Sequence, residues 1–318
     1  MALHPQIVAL MERAAAAGAR PNYELTPVEA RIQTEENSRA RDVHRTPVGR
    51  IEDRVIDGPG GDLKLRLYWP PGGDAAPAAA PGPAILFFHG GGHVVGSLDS
   101  HDLTARNLCA DTGCLVVSVD YRLAPEHKFP AAPEDCYAAT SWVADHADVL
   151  GVDPDRIAVS GDSAGGNLAI VTALMARERG GPALAFQLLV YPVADYALDT
   201  PSYETYAEGY GILTARGMAW FRDHYLNGPQ DRADWRAAPL RAPDLSGLPP
   251  ALVITAECDV LHDEGVALAG RLVEAGVPVE HADYPGMVHA FYSFAAIIDD
   301  GRAAQRFAAT RLRAAFGI

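Results

Sequence analysis

A serine stands between glycines in the segment SGDSAGGNL, which covers residues 160–168. The five letters GDSAG match the pattern G-x-S-x-G, in which Ser163 takes the position of a nucleophile on a tight strand-to-helix turn. The apolar run IAVS precedes the motif, and residues 168–175 carry apolar side chains at helical spacing. This context favours a nucleophile elbow over a glycine-rich turn that serves packing alone.

A second glycine cluster, HGGG, follows the apolar run AILFF at residues 89–92. Acyl transfer places negative charge on a carbonyl oxygen, and backbone N–H groups must converge on it without side chains in the way. Consecutive glycines provide such donors. Metal binding by His89 and His93 is the rival interpretation, but the glycines between them oppose a stable helix and the chain has no HExxH motif.

A serine hydroxyl is a weak nucleophile and needs a base that is oriented by an acid. Where the serine lies on a G-x-S-x-G elbow of this kind, the triad partners follow in the chain order serine, acid, histidine. Asp259 and His289 follow the runs ALVITAE and VEHADYP in that order, each just past a predicted strand end. Glu257 still lies within its run, and Asp263 lies a turn into the next predicted helix. The sequence therefore predicts Ser163, Asp259 and His289 as the triad.

Composition excludes several other classes of function. Apolar residues make up 48% and charged residues 21% of the chain, as in ordinary globular proteins, and the net charge of −15 opposes binding to nucleic acid or to an anionic membrane surface. No apolar run approaches the roughly 20 residues of a membrane-spanning helix, and the N-terminus lacks the apolar stretch of a secretion signal. The four cysteines show no CxxC pair, so we expect reduced thiols in a cytoplasmic protein, with a Cys109–Cys114 bridge as the disfavoured alternative.

Short apolar runs alternate with segments of helical length, a pattern typical of an α/β fold with a mostly parallel sheet flanked by helices. The segments RIEDRVID and LKLRLYW are predicted to form a hairpin of two strands. Six further strands bring the total to eight, and they are predicted at residues 84–88, 115–120, 157–161, 186–192, 251–257 and 279–285. The predicted helices between them are 103–112, 131–147, 164–179 and 262–275. Pro70 to Pro83 is too rich in Pro, Gly and Ala for regular structure and is predicted to be a surface loop.

The interval between Pro192 and Ala251 is much longer than the other connections and is rich in aromatic residues. An insertion after a strand's carboxyl end falls on the side where α/β sheets bind ligands. We interpret it, with the N-terminal helices, as a cap; a helical layer without ligand contact is the alternative. The predicted division begins with N-terminal cap helices at residues 1–45 and the first part of the core at 46–192. The cap insertion at 193–230 and the second part of the core at 231–318 follow.

Five motifs together carry a family resemblance: HGGG, GDSAGGN, YRLAPE, DxLxDEG and GxxHxF. They resemble the hormone-sensitive-lipase-like family of α/β-hydrolases, in particular its bacterial carboxylesterases, from about residue 50 to the C-terminus. The resemblance implies an α/β-hydrolase fold with a helical cap and a triad of Ser163, Asp259 and His289. It implies an oxyanion hole from the N–H groups of Gly90, Gly91 and Ala164, and for Arg122 in YRLAPE an ion pair within the scaffold.

The chain departs from the family pattern at three positions. His93 stands where an aromatic residue is usual, Val260 where proline is usual and His262 where arginine is usual. The first of these changes the expected size and polarity of the pocket, so His93 is predicted to contact substrate. Tyr196, Tyr206 and Tyr210 of the aromatic-rich insertion are predicted to do the same.

The expected activity is hydrolysis of short- to medium-chain carboxylic esters through an acyl-enzyme, without a metal or an organic cofactor. The expected partner is a small ester substrate, and a homodimer is left open. An amidase or a lactonase uses the same residues, and a non-catalytic small-molecule receptor can occupy the same scaffold. All three triad positions are filled, which disfavours the receptor.

Overall fold

The computed structural model describes residues 3–16, 18–42, 44–72 and 81–318. Most of the predicted surface loop, namely residues 73–80, lies outside the described residues. The strands are β1 Arg50–Gly58, β2 Gly61–Trp69, β3 Gly82–Phe88, β4 Leu115–Asp120, β5 Val152–Asp162, β6 Phe186–Val190, β7 Ala251–Cys258 and β8 Val279–Val288. The α-helices are α1 Pro5–Ala16, α2 Pro27–Arg41, α3 Asp102–Thr112, α4 Ala131–Asp145, α5 Ala147–Leu150, α6 Ala164–Arg179, α7 Pro201–Thr205, α8 Ala215–Tyr225, α9 His262–Glu274 and α10 Asp299–Phe316.

The eight strands form one sheet in the order β1-β2-β4-β3-β5-β6-β7-β8. β1 pairs antiparallel with β2, and β2 pairs antiparallel with β4, whereas all the later pairs are parallel. The predicted hairpin at the sheet edge and the count of eight strands are thereby confirmed. In β2 the leucines Leu63, Leu65 and Leu67 are buried while Lys64 is exposed, as the alternation predicted.

Burial separates the central strands from the last one. Ile85, Leu86 and Phe87 of β3 are all buried, because helices cover both faces of the sheet there. β8 forms the other edge, and Glu280 and His281 on it are exposed. The segment VEHADYP, predicted as one of the short apolar strands of a sheet flanked by helices, is therefore not buried on both faces, since an edge strand with polar side chains meets solvent.

The helix α10 was not identified from the sequence. It packs on α3, where Asn107 donates a hydrogen bond to Gln305 (2.8 Å) and Arg302 forms an ion pair with Asp111. β6 ends at Val190 rather than at Pro192, because Tyr191 turns the chain with φ 33°. Arg122 pairs with the buried Asp135 at 2.7 Å, the scaffold role that the family resemblance implied.

Two separate segments cover the carboxyl ends of the central strands. The first is α2, which begins at Thr26 with a capping box and is tied to the core by Arg31. The Arg31 guanidinium pairs with Glu126 and donates to the carbonyl oxygens of Val94 and Ala124 at 2.8 Å each. The second is the insertion after β6, which contains α7 and α8. The turn that precedes α2 touches this insertion, where the Arg216 guanidinium lies 4.3 Å from the centre of the Tyr23 ring.

The turn from β5 into α6 leaves room only for glycine on both sides of Ser163. A Cβ on Gly161 would lie 2.3 Å from the backbone of Gly165, and a Cβ on Gly165 would lie 1.8 Å from the carbonyl oxygen of Phe88. Ser163 itself has φ 58° and ψ −119°, an uncommon backbone conformation for a residue with a side chain. α6 thus starts against the end of β3, and Ser163 is held at the top of the turn.

Gly165→Ala is expected to destabilise the fold by about 3 kcal/mol or more, because the new methyl group must displace backbone rather than a flexible side chain. The free energy of unfolding from urea titration is the measurement. Gly270→Ala is the matched control, since that glycine lies in α9 with open space around its Cβ position. There the same change is expected to stabilise by about 0.5–1 kcal/mol. Equal effects at the two positions would contradict the close approach at Gly165.

Candidate active site

Ser163, His289 and Asp259 form a continuous line of hydrogen bonds. Ser163 Oγ lies 2.9 Å from His289 Nε2, and His289 Nδ1 lies 2.6 Å from Asp259 Oδ2. The other carboxylate oxygen of Asp259 accepts the N–H of Leu261 at 3.0 Å. With Nδ1 protonated and donating to Asp259, Nε2 is free to accept the serine proton.

Three strand ends bring these side chains together. Ser163 follows β5, Asp259 follows β7 and His289 follows β8, so all three lie at the carboxyl edge of the sheet. Asp259 is 1% exposed, whereas Ser163 and His289 are 7% and 8% exposed. Asp259 is shielded from water, whereas Ser163 and His289 remain in contact with a cavity. Glu257 and Asp263, the weaker acid candidates, are occupied with the N–H groups of Gly286 and Ser202.

The HGGG loop differs from the sequence prediction at Gly90. Its N–H donates to Asp162 Oδ1 at 3.1 Å and is therefore not available to a substrate, which corrects its assignment to the oxyanion hole. Gly91 and Gly92 line the cavity together with Ser163, and within the described chain their N–H groups have no acceptor. Ala164 is the first residue of α6, where N–H groups lack intrahelical acceptors. In the sequence, the third glycine of HGGG is the feature that indicates Gly92 as a further backbone donor.

Asp162 connects the nucleophile turn to its surroundings. Besides the N–H of Gly90, its carboxylate accepts the Ser293 hydroxyl at 3.0 Å and lies 3.6 Å from His101 Nε2. Burial by itself would raise the pKa of Asp162, but the His101 imidazole and the Ser293 hydrogen bond outweigh burial and lower that pKa. An ionised Asp162 keeps the HGGG loop fastened beside Ser163.

A cavity of about 220 Å³ opens onto Ser163 and His289. The core lines it with residues next to the triad, and both cap segments close it. The remaining lining residues are Asn22, Thr34, Ser38, Arg41, Gly91, Gly92, Val95, Ser100, His101, Asp162, Val193, Ile212, Leu213, Met218, Phe221, Ala290, Ser293 and Phe294. A larger depression of about 600 Å³ beside Arg179 and Arg236 contains no member of the triad.

A model of the alpha/beta hydrolase fold family matches residues 85–293, well over half of the chain. The chain belongs to this family. Esterase LipI of Mycobacterium tuberculosis is 45% identical over 82% of this chain and 81% of its own length. The ethyl acetate hydrolase of Pseudomonas putida is 42% identical over 94% of this chain and 95% of its own length.

A solved structure agrees with these sequence relatives. The hyperthermophilic esterase of the archaeon Pyrobaculum calidifontis superposes on this α/β-hydrolase with a TM-score of 0.93 at 44% identity, over 99% of both chains. The α/β-hydrolase is thus a carboxylesterase of the hormone-sensitive-lipase-like type, as the five motifs implied.

The four residues predicted to contact substrate do not line the cavity of this α/β-hydrolase. His93 and Tyr196 are fully buried, and the Tyr225 ring covers His93 with centroids 3.8 Å apart. The rings of Tyr206 and Tyr210 have centres 6.4 Å apart. Both rings pack against the apolar cluster that includes Met287, Val288 and Phe291. Of the aromatic residues in the insertion, Phe221 is the one that faces the nucleophile. Sequence composition indicated an aromatic cap but not which rings face inwards.

His89 and His93, the residues considered as metal ligands, are buried among protein groups. His89 Nδ1 lies 2.8 Å from the carbonyl oxygen of Gly90, and both ring nitrogens of His93 are buried without a hydrogen-bond partner. Burial, reinforced by a neighbouring histidine in each case, lowers the pKa of His89 and that of His93 to about 3. Both rings are therefore neutral at pH 7 and serve as packing groups. Across residues 3–16, 18–42, 44–72 and 81–318, His, Cys, Asp and Glu side chains form no group suited to a metal ion.

Asp259→Asn is expected to lower kcat by about 10⁴, because the amide no longer holds the His289 tautomer that accepts the serine proton. Steady-state hydrolysis of p-nitrophenyl butyrate measures the change. Glu257→Gln is the matched control at the same strand end, where a loss of less than tenfold is expected. If Asp259→Asn lost less than tenfold, the acid role would pass to another carboxylate.

His93→Phe is expected to protect the fold against acid. The pKa of about 3 in the folded state is below the ordinary 6.5, so protonation favours the unfolded chain. The free energy of unfolding is therefore undiminished by this group at neutral pH. It decreases as the pH falls below about 6.5, by about 2 kcal/mol at pH 5 from His93 alone. Thermal unfolding of both proteins at pH 8 and pH 5 tests the prediction. A difference between them that is the same at both pH values would indicate a packing effect without titration.

Proposed function

We propose that this carboxylesterase hydrolyses small esters with short to medium acyl chains through a covalent intermediate on Ser163. The observation that carries the proposal is the hydrogen-bonded line from Ser163 Oγ to His289 to Asp259, with bonds of 2.9 and 2.6 Å. In the first half-reaction Nε2 of His289 takes the serine proton while Oγ attacks the ester carbonyl carbon. The imidazolium is stabilised by Asp259, and its proton then passes to the departing alcohol.

The negative charge on the carbonyl oxygen is received by backbone donors. We assign these to the N–H groups of Gly91, Gly92 and Ala164. Gly92 takes the place of Gly90, whose N–H group donates to Asp162. One such donor typically contributes about 2.7–4 kcal/mol to stabilisation of the transition state. Water then repeats the sequence on the acyl-enzyme, with His289 as the base, and the acid is released.

The cavity supports small substrates. Its volume of about 220 Å³ lies below the roughly 300–1,000 Å³ that is usual for ligand sites, so a short acyl ester fits where a long chain must protrude. The Pseudomonas putida relative carries the name ethyl acetate hydrolase, which supports the same size class. The described part of the chain contains no helix with the length and apolarity to cross a bilayer. The cytoplasmic location and a homodimer stay predictions.

Amide and lactone hydrolysis need the same nucleophile and base, so reactivity must separate them from ester hydrolysis. An amine leaves less readily than an alcohol, so the same residues are expected to cleave amides more slowly than esters. A lactone has an alcohol as its leaving group, so its rate must be compared directly with that of an open-chain ester. A receptor without catalysis is disfavoured by the intact contact between Ser163 and His289.

A fluorophosphonate probe is expected to add its mass to Ser163, as detected by peptide mass spectrometry, because the reagent reacts only with an activated serine. Ser163→Ala removes both labelling and esterase activity, whereas Ser246→Ala, on the exposed surface, retains both. Among p-nitrophenyl esters, kcat/KM for butyrate is expected to exceed that for palmitate at least tenfold. Absence of labelling, or faster turnover of an anilide or a lactone than of the matched ester, would contradict the proposal.

A further inference from the structure

One part of the cavity wall is polar and comes from α2. Thr34, Ser38 and Arg41 line the cavity from this helix, and we call these three residues the α2 wall. The insertion after β6 contributes only apolar lining residues, among them Leu213, Met218 and Phe221. A site for purely hydrocarbon substrates has no use for a guanidinium and two hydroxyls. The α2 wall is not needed by the triad or by the oxyanion donors.

Arg41 has unused hydrogen-bond donors and lines the cavity. Its Nε and Nη2 donate to the two carboxylate oxygens of Asp42 at 2.8 and 3.0 Å, while Nη1 has no acceptor in the described part of the chain. Both side chains are largely buried, at 16% and 11% exposure. Because the pair is neutral as a unit, it does not attract a second anion strongly, yet it leaves a strong N–H donor unused.

The two hydroxyls of the α2 wall offer acceptors. Thr34 Oγ1 donates its hydrogen to the carbonyl oxygen of Ala30 at 2.8 Å, and Ser38 Oγ donates to that of Ser100 at 2.9 Å. Their remaining lone pairs can accept but their hydrogens are used. A substrate hydroxyl both accepts and donates, so it complements a wall with N–H donors on Arg41 and acceptors on the two hydroxyls. A carboxylate has acceptors only and would face the hydroxyl lone pairs unfavourably.

The position of Arg41 indicates which half of the ester meets the wall. Its guanidinium lies 4.9 Å from the centre of the Phe294 ring, and Phe294 follows His289 in the same loop. His289 delivers the proton to the departing alcohol. Arg41 thus lies against the loop that carries His289, and we infer from this contact that the α2 wall meets the alcohol half of the ester.

We propose that the α2 wall binds a hydroxyl group on the alcohol half of the substrate, so that this carboxylesterase favours monoacyl esters of diols and polyols. The inference rests on the proposed function and adds the substrate class to it. Arg41 is the specificity-determining residue, because its Nη1 is the donor that an alkyl alcohol leaves without a partner.

The test compares 2-hydroxyethyl butyrate with n-propyl butyrate, which has nearly the same shape but lacks the hydroxyl. The wild-type ratio of kcat/KM is expected to favour the hydroxylated ester about tenfold, the value of one hydrogen bond to a charged donor. Arg41→Met is expected to abolish that preference, and Arg41→Lys to keep part of it. Arg39→Met is the matched control on the same helix, since Arg39 is 69% exposed and does not line the cavity.

The outcomes separate this inference from the proposed function. Cleavage of both esters by the wild type with a ratio near one overturns the α2 wall proposal and leaves the esterase intact. Failure to cleave either ester, with no fluorophosphonate labelling, overturns both. A stronger preference for carboxymethyl butyrate, which carries a carboxylate on the alcohol half in place of the hydroxyl, than for the hydroxylated ester would assign the wall to anions and overturn the inference. The wild-type ratio decides the matter even if Arg41→Met fails to fold.

Discussion

The approach of α6 to the carboxyl end of β3 is the contact on which the site depends. At Gly165 the helix comes so close to the carbonyl oxygen of Phe88 that no side chain fits between them. The same approach brings the HGGG loop, which follows β3, next to the first turn of α6. Asp162 then fastens the loop through the N–H of Gly90. Ser163 and the N–H groups proposed as oxyanion donors are thus fixed relative to each other by backbone packing.

The two covering segments pack on the core through an apolar cluster separate from those on the two faces of the sheet. Specific interactions add to it, such as the Arg31 bonds and the stack of His93 on Tyr225. That stack connects the loop after HGGG directly to the end of α8. The shape of the cavity and the position of the oxyanion donors are therefore mechanically linked, although the residues responsible are distant in the chain.

The parts of the structure that depend on local sequence patterns could be predicted from the sequence. Buried parallel strands are continuous apolar runs, and a G-x-S-x-G turn has a fixed setting, so the sheet and the positions of Ser163, Asp259 and His289 at strand ends were predictable. The direction in which a backbone N–H or an aromatic ring points depends on tertiary packing. Gly90 was assigned to the hole because its bond to Asp162 has no local signature. The inward-facing role expected for Tyr196 failed for the same reason, since composition does not distinguish the two faces of a cap.

The strand order has a consequence for when the chain becomes reactive. Ser163 is set by β3, β5 and α6, all in the first part of the chain, but its base arrives only with β8 at the far edge of the sheet. A chain still emerging from synthesis carries an unactivated alcohol at the elbow until the final strand pairs with β7. The proposed chemistry is thereby confined by strand order to chains in which the sheet is complete.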